Sequence, residues 1–137
     1  MCLAVYVASS KPLPTSAWQK DARAFYLEAV AAHESVRKQF AAANVYYAGS
    51  HKGCGCGFIK DGEVGEDLAA CQRNYDALSL AVARAMADGA AVEIFSCWEG
   101  DQTRPPEFVE SLAPQALAEP GFELKERQLL RICANEA

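Results

Sequence analysis

One apolar stripe along residues 66–88 limits the ways in which this chain can fold. Glu66 and Asp67 suit the positive N-terminal end of a helix there, and Gly89 suits the position just beyond its C-terminus. Between them, six apolar residues recur at steps of three and four: Leu68, Cys71, Tyr75, Leu78, Val82 and Ala85. Residues with this spacing share one helical face, so the stripe predicts a long amphipathic helix. Such a helix must bury its apolar face against another layer.

Four other segments have the short apolar runs that are typical of strands. Residues 122–133 alternate apolar and charged positions, which predicts a strand with one wet face near a sheet edge. The run Pro105-Pro106-Glu107 predicts the start of a short helix that Pro114 would end or kink. Buried strands are predicted at the other three strand-like segments, which are 2–8, 44–50 and 91–98. These segments carry apolar residues on both faces or a Val-Tyr core.

The Ala-rich segment 15–42 is compatible with two structures. One is a single long helix capped by Thr15 or Ser16. The other is a strand at 25–30 followed by a short helix at 34–40. The second is favoured, because a helix over the whole segment would exceed twice the usual length of about 11–12 residues.

The size and composition of the chain fit one globular domain spanning 1–137. It has 137 residues, of which 51% are hydrophobic and 23% charged. Together with the element predictions, this indicates an α+β fold. We expect a single mixed or mainly antiparallel sheet of about five strands, with the long helix at about 66–88 and short helices packed on it.

The charge and the apolar runs argue against several classes of protein. A net charge of −5 with scattered basic residues disfavours nucleic-acid binding, which needs a basic face. No stretch approaches the roughly 18 apolar residues of a membrane span. The first residues lack the basic region of a signal peptide, so we expect a cytoplasmic protein whose six cysteines stay reduced.

The stretch 49–58 concentrates residues suited to chemistry. It holds one imidazole, two thiols and four glycines, directly after the predicted strand at 44–50. His51, Cys54 and Cys56 are typical metal ligands, and a glycine-rich backbone can fold closely around an ion. The spacing therefore predicts a metal site, with zinc or iron as the metal. Zinc takes about four ligands, so a fourth would come from elsewhere in the chain: Cys97, Cys71 or Cys2.

The same residues are compatible with redox or nucleophilic chemistry. Cys54 or Cys56 would then act as a catalytic thiolate, with His51 lowering its pKa. Gly55 would allow a strained disulfide between the two cysteines if the loop brings their Cα atoms within about 7 Å. In a third hypothesis the loop is purely architectural, and the chain is a non-catalytic binding or assembly protein that forms a homodimer.

Cys2 is a separate candidate, because removal of Met1 would leave a cysteine with a free α-amino group. Such a residue can act as nucleophile and as its own base, as in N-terminal nucleophile hydrolases. Those domains are larger four-layer folds, so a buried thiol on a central strand is the simpler interpretation. Glu99 and Asp101 would be acid–base groups, partners of His51 or plain loop residues. Ordinary core positions are expected for Cys71 on the helix and for Cys97 and Cys133 in strands, and a solvated position is expected for His33.

Two stretches resemble a family of small uncharacterised bacterial proteins. They are Met-Cys-Leu-Ala-Val-Tyr at 1–6 and the run at 45–58 that ends in Gly-Cys-Gly-Cys-Gly-Phe. The resemblance extends over most of the chain, and these stretches carry it. The family has no established activity, so it implies no function. Its members are less Ala-rich and more strand-like at 25–30, which favours the strand in that segment.

Overall fold

The sheet at the centre of the fold has six strands. A computed structural model describes residues 2–134. In chain order the strands are β1 (Leu3–Ser9), β2 (Tyr26–Ala29), β3 (Asn44–Gly49), β4 (Val92–Trp98), β5 (Phe108–Leu112) and β6 (Gln128–Ile132). Their order across the sheet is β2-β3-β1-β4-β6-β5. All neighbours pair antiparallel except β5 and β6, which are parallel. The predicted α+β fold with a single mixed sheet is confirmed, with one strand more than expected.

The long helix α1 (Gly65–Ala87) lies on one face of the sheet, close to its predicted bounds. Gly89 ends it with φ +89°, while the N–H of Ala90 donates to the carbonyl of Ala85 at 3.0 Å. This is the glycine-dependent termination expected from the sequence. The predicted stripe is buried except for the exposed Leu68, and its members from Tyr75 onward share a core with the odd-numbered residues of β1.

The opposite face of the sheet is covered by the chain between β2 and β3. A 3₁₀ helix at Ser35–Gln39 buries Val36, and the Phe40 ring packs edge-on against Phe95 at 6.4 Å between centroids. The segment 15–42 therefore contains a strand and a short helix, as favoured, and the single long helix is wrong. Ala4, Tyr6 and Ala8 of β1 belong to this second core.

The prediction of a helix starting at Pro105 is wrong. The chain there leads into β5, and the N–H of Glu107 donates to the carbonyl of Arg127 at 2.7 Å. Pro114 opens a 3₁₀ helix, Pro114–Ala118, instead of ending a helix. The strand expected at 122–133 is limited to β6, and β5 rather than β6 forms the sheet edge. Because β5 is mostly exposed, it has no apolar alternation that would have distinguished it.

Within residues 2–134, no helix combines the length and apolar character needed to cross a membrane.

β1 lies inside the sheet, with β3 on one side and β4 on the other, and all seven of its residues are buried. Its first residue therefore lies at the sheet end where β3 and β4 finish. The cysteine-containing segment begins at this end of the sheet.

Candidate functional site: a cluster of three thiols

Three cysteines from two distant parts of the chain meet at this end of the sheet. The sulfur atoms of Cys2, Cys54 and Cys56 all lie within 4.8 Å of one another. Cys2 is exposed, and the other two are half-buried. We call this group the thiol cluster and residues 50–58 the cysteine loop. All three cysteines are free thiols.

Cys2 is held by an extension of the central antiparallel pairing. The ladder between β1 and β4 includes Leu3 opposite Trp98, and the N–H of Glu99 donates to the carbonyl of Cys2 at 2.8 Å. Side chains alternate along a strand, so Cys2 points to the same face as Ala4 and away from α1. The backbone of Cys2 is thereby fixed although its thiol is exposed.

Ser50 organises the cysteine loop from within. Its hydroxyl group donates to the carbonyl of Cys54 at 2.5 Å and accepts from the N–H of Gly57 at 3.0 Å. The N–H of Ser50 also donates to the Cys54 carbonyl at 2.9 Å. Ser50 is fully buried, so these bonds satisfy loop backbone groups that would otherwise be costly to bury.

Two glycines let the cysteine loop approach its neighbours closely. A Cβ atom on Gly55 would lie 2.0 Å from the carbonyl oxygen of Leu3, so only glycine fits against the start of β1. A Cβ atom on Gly57 would lie 2.2 Å from the Ser50 hydroxyl oxygen. The contact at Gly55 seats Cys54 and Cys56 beside Cys2.

Aromatic side chains hold the outer part of the loop. The Tyr26 hydroxyl group donates to the carbonyl of Gly53 at 2.7 Å, and the indole N–H of Trp18 donates to the carbonyl of His51 at 3.0 Å. The Tyr47 hydroxyl oxygen accepts from the N–H of Gly55 at 3.2 Å. Burial first, and then the charges of Tyr26 and Cys54, raise the pKa of Tyr47, which therefore stays neutral.

His51 is occupied on the other side of the loop, against α1. Its Nδ1 lies 2.8 Å from the amide nitrogen of Asn74, whose Oδ1 accepts from the His51 backbone N–H at 3.1 Å. That second bond identifies the amide nitrogen as the donor, so Nδ1 is an acceptor and the ring proton is on Nε2. The same amide nitrogen also donates to the carbonyl of Gly57 at 3.0 Å. Asn74 is buried and ties the loop to the helix.

The thiols of the cluster interact with one another. Hydrogen bonding to the Cys56 side chain, and then the charge of Cys56, raise the pKa of Cys2. The sulfur of Cys54 accepts from the backbone N–H of Cys56 at 3.5 Å. A cation bound between the three sulfurs would replace the thiol protons, and its positive charge would offset the repulsion among the three thiolates.

The other cysteines lie apart from the thiol cluster. Cys97 is fully buried in the core on the far face from α1, and burial, followed by the charge of Glu99, raises its pKa to about 12. Cys71 is buried on α1, where its thiol contacts the carbonyl of Ile59 at 3.5 Å. The prediction of Cys133 as a core thiol within a strand is wrong, because β6 ends at Ile132 and Cys133 is exposed just after it.

The acidic loop after β4 makes local bonds. The carboxylate of Glu99 accepts from the Gln102 amide at 2.9 Å, and the same amide donates to the Tyr6 hydroxyl group at 3.2 Å. Asp101 forms an ion pair with Arg104 at 3.8 Å. His33 is exposed beside Glu34, as the sequence predicts for a solvated histidine.

The structure thus joins Cys54 and Cys56 to Cys2, while His51 bonds to Asn74 and Cys97 lies in the core. Cys2 is one of the three fourth ligands that the sequence offers, and of Cys97, Cys71 and Cys2 it is the one that meets Cys54 and Cys56. The interpretation of Cys2 as a buried thiol on a central strand is wrong, because β1 begins at Leu3 and Cys2, just before it, is exposed. Comparisons with known proteins find no matching family model, no matching curated protein and no matching solved structure.

Proposed function

We propose that the thiol cluster binds a zinc ion through the thiolates of Cys2, Cys54 and Cys56. The observation that supports this is the convergence of three sulfurs within 4.8 Å from segments about 50 positions apart. Three ligands at a Zn–S distance of about 2.3 Å stand about 3.8 Å apart, so the loop needs to close by only about 1 Å. The fourth coordination position would be taken by water or a substrate, as in zinc sites that perform chemistry.

Zinc suits this group of ligands better than iron does. Iron–sulfur clusters are usually held by four cysteine thiolates, and the thiol cluster offers three. Soft sulfur ligands without a carboxylate also disfavour magnesium, calcium and manganese. Bound zinc would act as a Lewis acid at its open coordination position, or the protein would only store it. Both roles require zinc to bind at the thiol cluster.

The test is the metal content of the untagged protein, purified without chelator and measured by plasma mass spectrometry. We expect close to one zinc per chain, lost in Cys2→Ser and in the double variant Cys54→Ser/Cys56→Ser. Cys133→Ser is the matched control, because it removes an exposed thiol outside the thiol cluster. Metal-free wild-type protein that also fails to bind added zinc would rule the proposal out.

A redox function is the second candidate, and a different observation favours it. The sulfur atoms of Cys2 and Cys56 lie within 4.8 Å of each other, and interaction with the Cys56 side chain raises the pKa of Cys2. The two sulfurs therefore need to approach by less than about 3 Å to reach the S–S bond length of about 2.05 Å. Hydrogen peroxide would oxidise the two thiols to one disulfide and be reduced to two molecules of water. The product would join the start of β1 to the cysteine loop.

Peptide mapping after treatment with hydrogen peroxide tests this function. The expected product is a cross-linked pair of peptides containing Cys2 and Cys56, lighter by two hydrogens and restored by a dithiol. Oxidation that reaches only Cys133, or none below the concentrations that damage methionine, would count against it. The N-terminal nucleophile hypothesis stays a prediction, and the mass of the mature N-terminus tests it, since retained Met1 blocks it.

A further inference from the structure

A cavity of about 600 Å³ lies away from the thiol cluster, between the C-terminal half of α1 and residues 11–16. Its walls are mainly apolar, and they come from both sides: Leu13, Phe25, Leu27, Ala81, Ala85 and Ala90. Cavities of about 300–1,000 Å³ with this kind of lining are the usual sites for small molecules. The alanines on α1 create the space, because longer side chains there would fill it.

The outer wall of the cavity is held in place by hydrogen bonds to the rest of the chain. The N–H of Ser10 donates to the carbonyl of Ala91 at 3.0 Å, and the N–H of Leu13 donates to the Tyr46 hydroxyl group at 2.8 Å. Further along, the N–H of Ser16 donates to the carbonyl of Leu27 at 2.9 Å. Pro12 and Pro14 stiffen the segment between these anchors, so the cavity does not require the wall to fold on binding.

The mouth of the cavity carries an excess of positive charge. Lys11 and Arg84 line it together with one carboxylate, that of Asp88. The Lys11 ammonium group donates to the backbone carbonyl of Asp88. Among residues 2–134, no carboxylate lies within 4.0 Å of the Arg84 guanidinium group. In a chain of net charge −5, this leaves an arginine available beside an apolar space.

We propose that this cavity binds a small organic anion with an aliphatic body, of the medium-chain carboxylate type. The apolar tail would displace water from the surface formed by Leu27, Ala81 and Ala85. The carboxylate would lie at the mouth, where Arg84 donates a charge-assisted hydrogen bond and Lys11 adds a second positive charge. This site is independent of the thiol cluster and of any metal there.

The probe is octanoate, titrated into the full chain and followed by amide proton–nitrogen NMR, with 1-octanol as its uncharged counterpart. We expect saturable shifts concentrated around the cavity, and tighter binding of octanoate than of octanol. Arg84→Gln should weaken octanoate about tenfold while leaving octanol unchanged, because it removes a single charged donor. Arg84 is exposed, so this variant keeps the fold.

A second variant tests the location of the site. Ala81→Phe fills the cavity and should abolish the binding of both probes, whereas Ala87→Phe, on an exposed part of the same helix, should not. The proposal is overturned if octanoate causes no saturable shifts, if Ala81→Phe binds it as the wild type does, or if Arg84→Gln weakens both probes equally. If Ala81→Phe does not fold, the comparison of the two probes on Arg84→Gln still decides.

Discussion

Gly55 is the residue at which the geometry of the thiol cluster can be tested most directly. In Gly55→Ala the new Cβ atom would lie 2.0 Å from the Leu3 carbonyl oxygen and 2.9 Å from its carbonyl carbon. Ordinary contact begins at 3.4 Å, so the clearance is short by about 1.4 Å. Both partners are backbone, and no side-chain rotation relieves the clash. The cysteine loop must therefore move away from the start of β1.

That movement separates the thiols, because Gly55 lies between Cys54 and Cys56 and Leu3 follows Cys2. Zinc binding requires the loop to close by about 1 Å, and the added Cβ atom pushes it in the opposite direction. We expect zinc affinity to fall at least tenfold, equivalent to about 1.4 kcal/mol. The overpacking should also lower the free energy of unfolding by about 1–3 kcal/mol.

The measurement is a competition titration of zinc against a chromogenic chelator, together with a urea unfolding curve. Gly121→Ala is the matched control, because no heavy atom lies within 4 Å of its added Cβ and its φ is not positive. The control should match the wild type in both measurements. If Gly55→Ala kept the wild-type zinc affinity, the close contact with Leu3 could not be what positions the three thiols.

Two further predictions concern the loop anchor and the buried thiol. Asn74→Ala should lower both zinc affinity and the free energy of unfolding, the latter by about 2–3 kcal/mol, because it leaves backbone groups of the cysteine loop unpaired. Ser79→Ala is the control, because it removes a buried hydrogen bond to the Pro114 carbonyl outside the loop. It should lower the free energy of unfolding but not zinc affinity, and an equal loss of zinc affinity in both variants would contradict this. At alkaline pH, unfolded Cys97 ionises near 9.0 and folded Cys97 near 12, so the unfolded state binds fewer protons between these values. Between these two pH values the free energy of unfolding should therefore fall more steeply in the wild type than in Cys97→Ala, by about 1.4 kcal/mol per pH unit. Urea midpoints that fall in parallel in the two proteins would refute this prediction.

The elements that sequence reasoning found are those with a local cause. The three- and four-residue spacing along α1 and the glycine after it specify that helix without any knowledge of the sheet. β5 shows the opposite case, because its residues are mostly exposed and its pairing with β6 is parallel. Neither property leaves a periodic signal in the sequence. The prolines before β5 are equally compatible with a helix start, and only long-range pairing decides between them.

For a related reason, the sequence predicts only part of the thiol cluster. Cys54 and Cys56 are neighbours in sequence, whereas Cys2 joins them only through the register of the sheet. In the antiparallel pair of β1 and β3, Tyr6 lies opposite Tyr47. Counting outward from that pair places position 2 level with position 51, the second residue of the cysteine loop. Any loop that folds back over the end of β3 therefore passes Cys2.

The same counting explains why Cys97 lies apart from the thiol cluster although it shares a face of the sheet with Cys2. Cys97 lies opposite Ala4, two residues further into the sheet, which is about 6–7 Å along the strand. At that depth it is covered by the second core around Phe95. A cysteine at the level of Ala4 packs in the core, whereas a cysteine at the open end of the ladder can contact a loop. Register, which one sequence does not reveal, thus separates the core thiol from the thiols of the site.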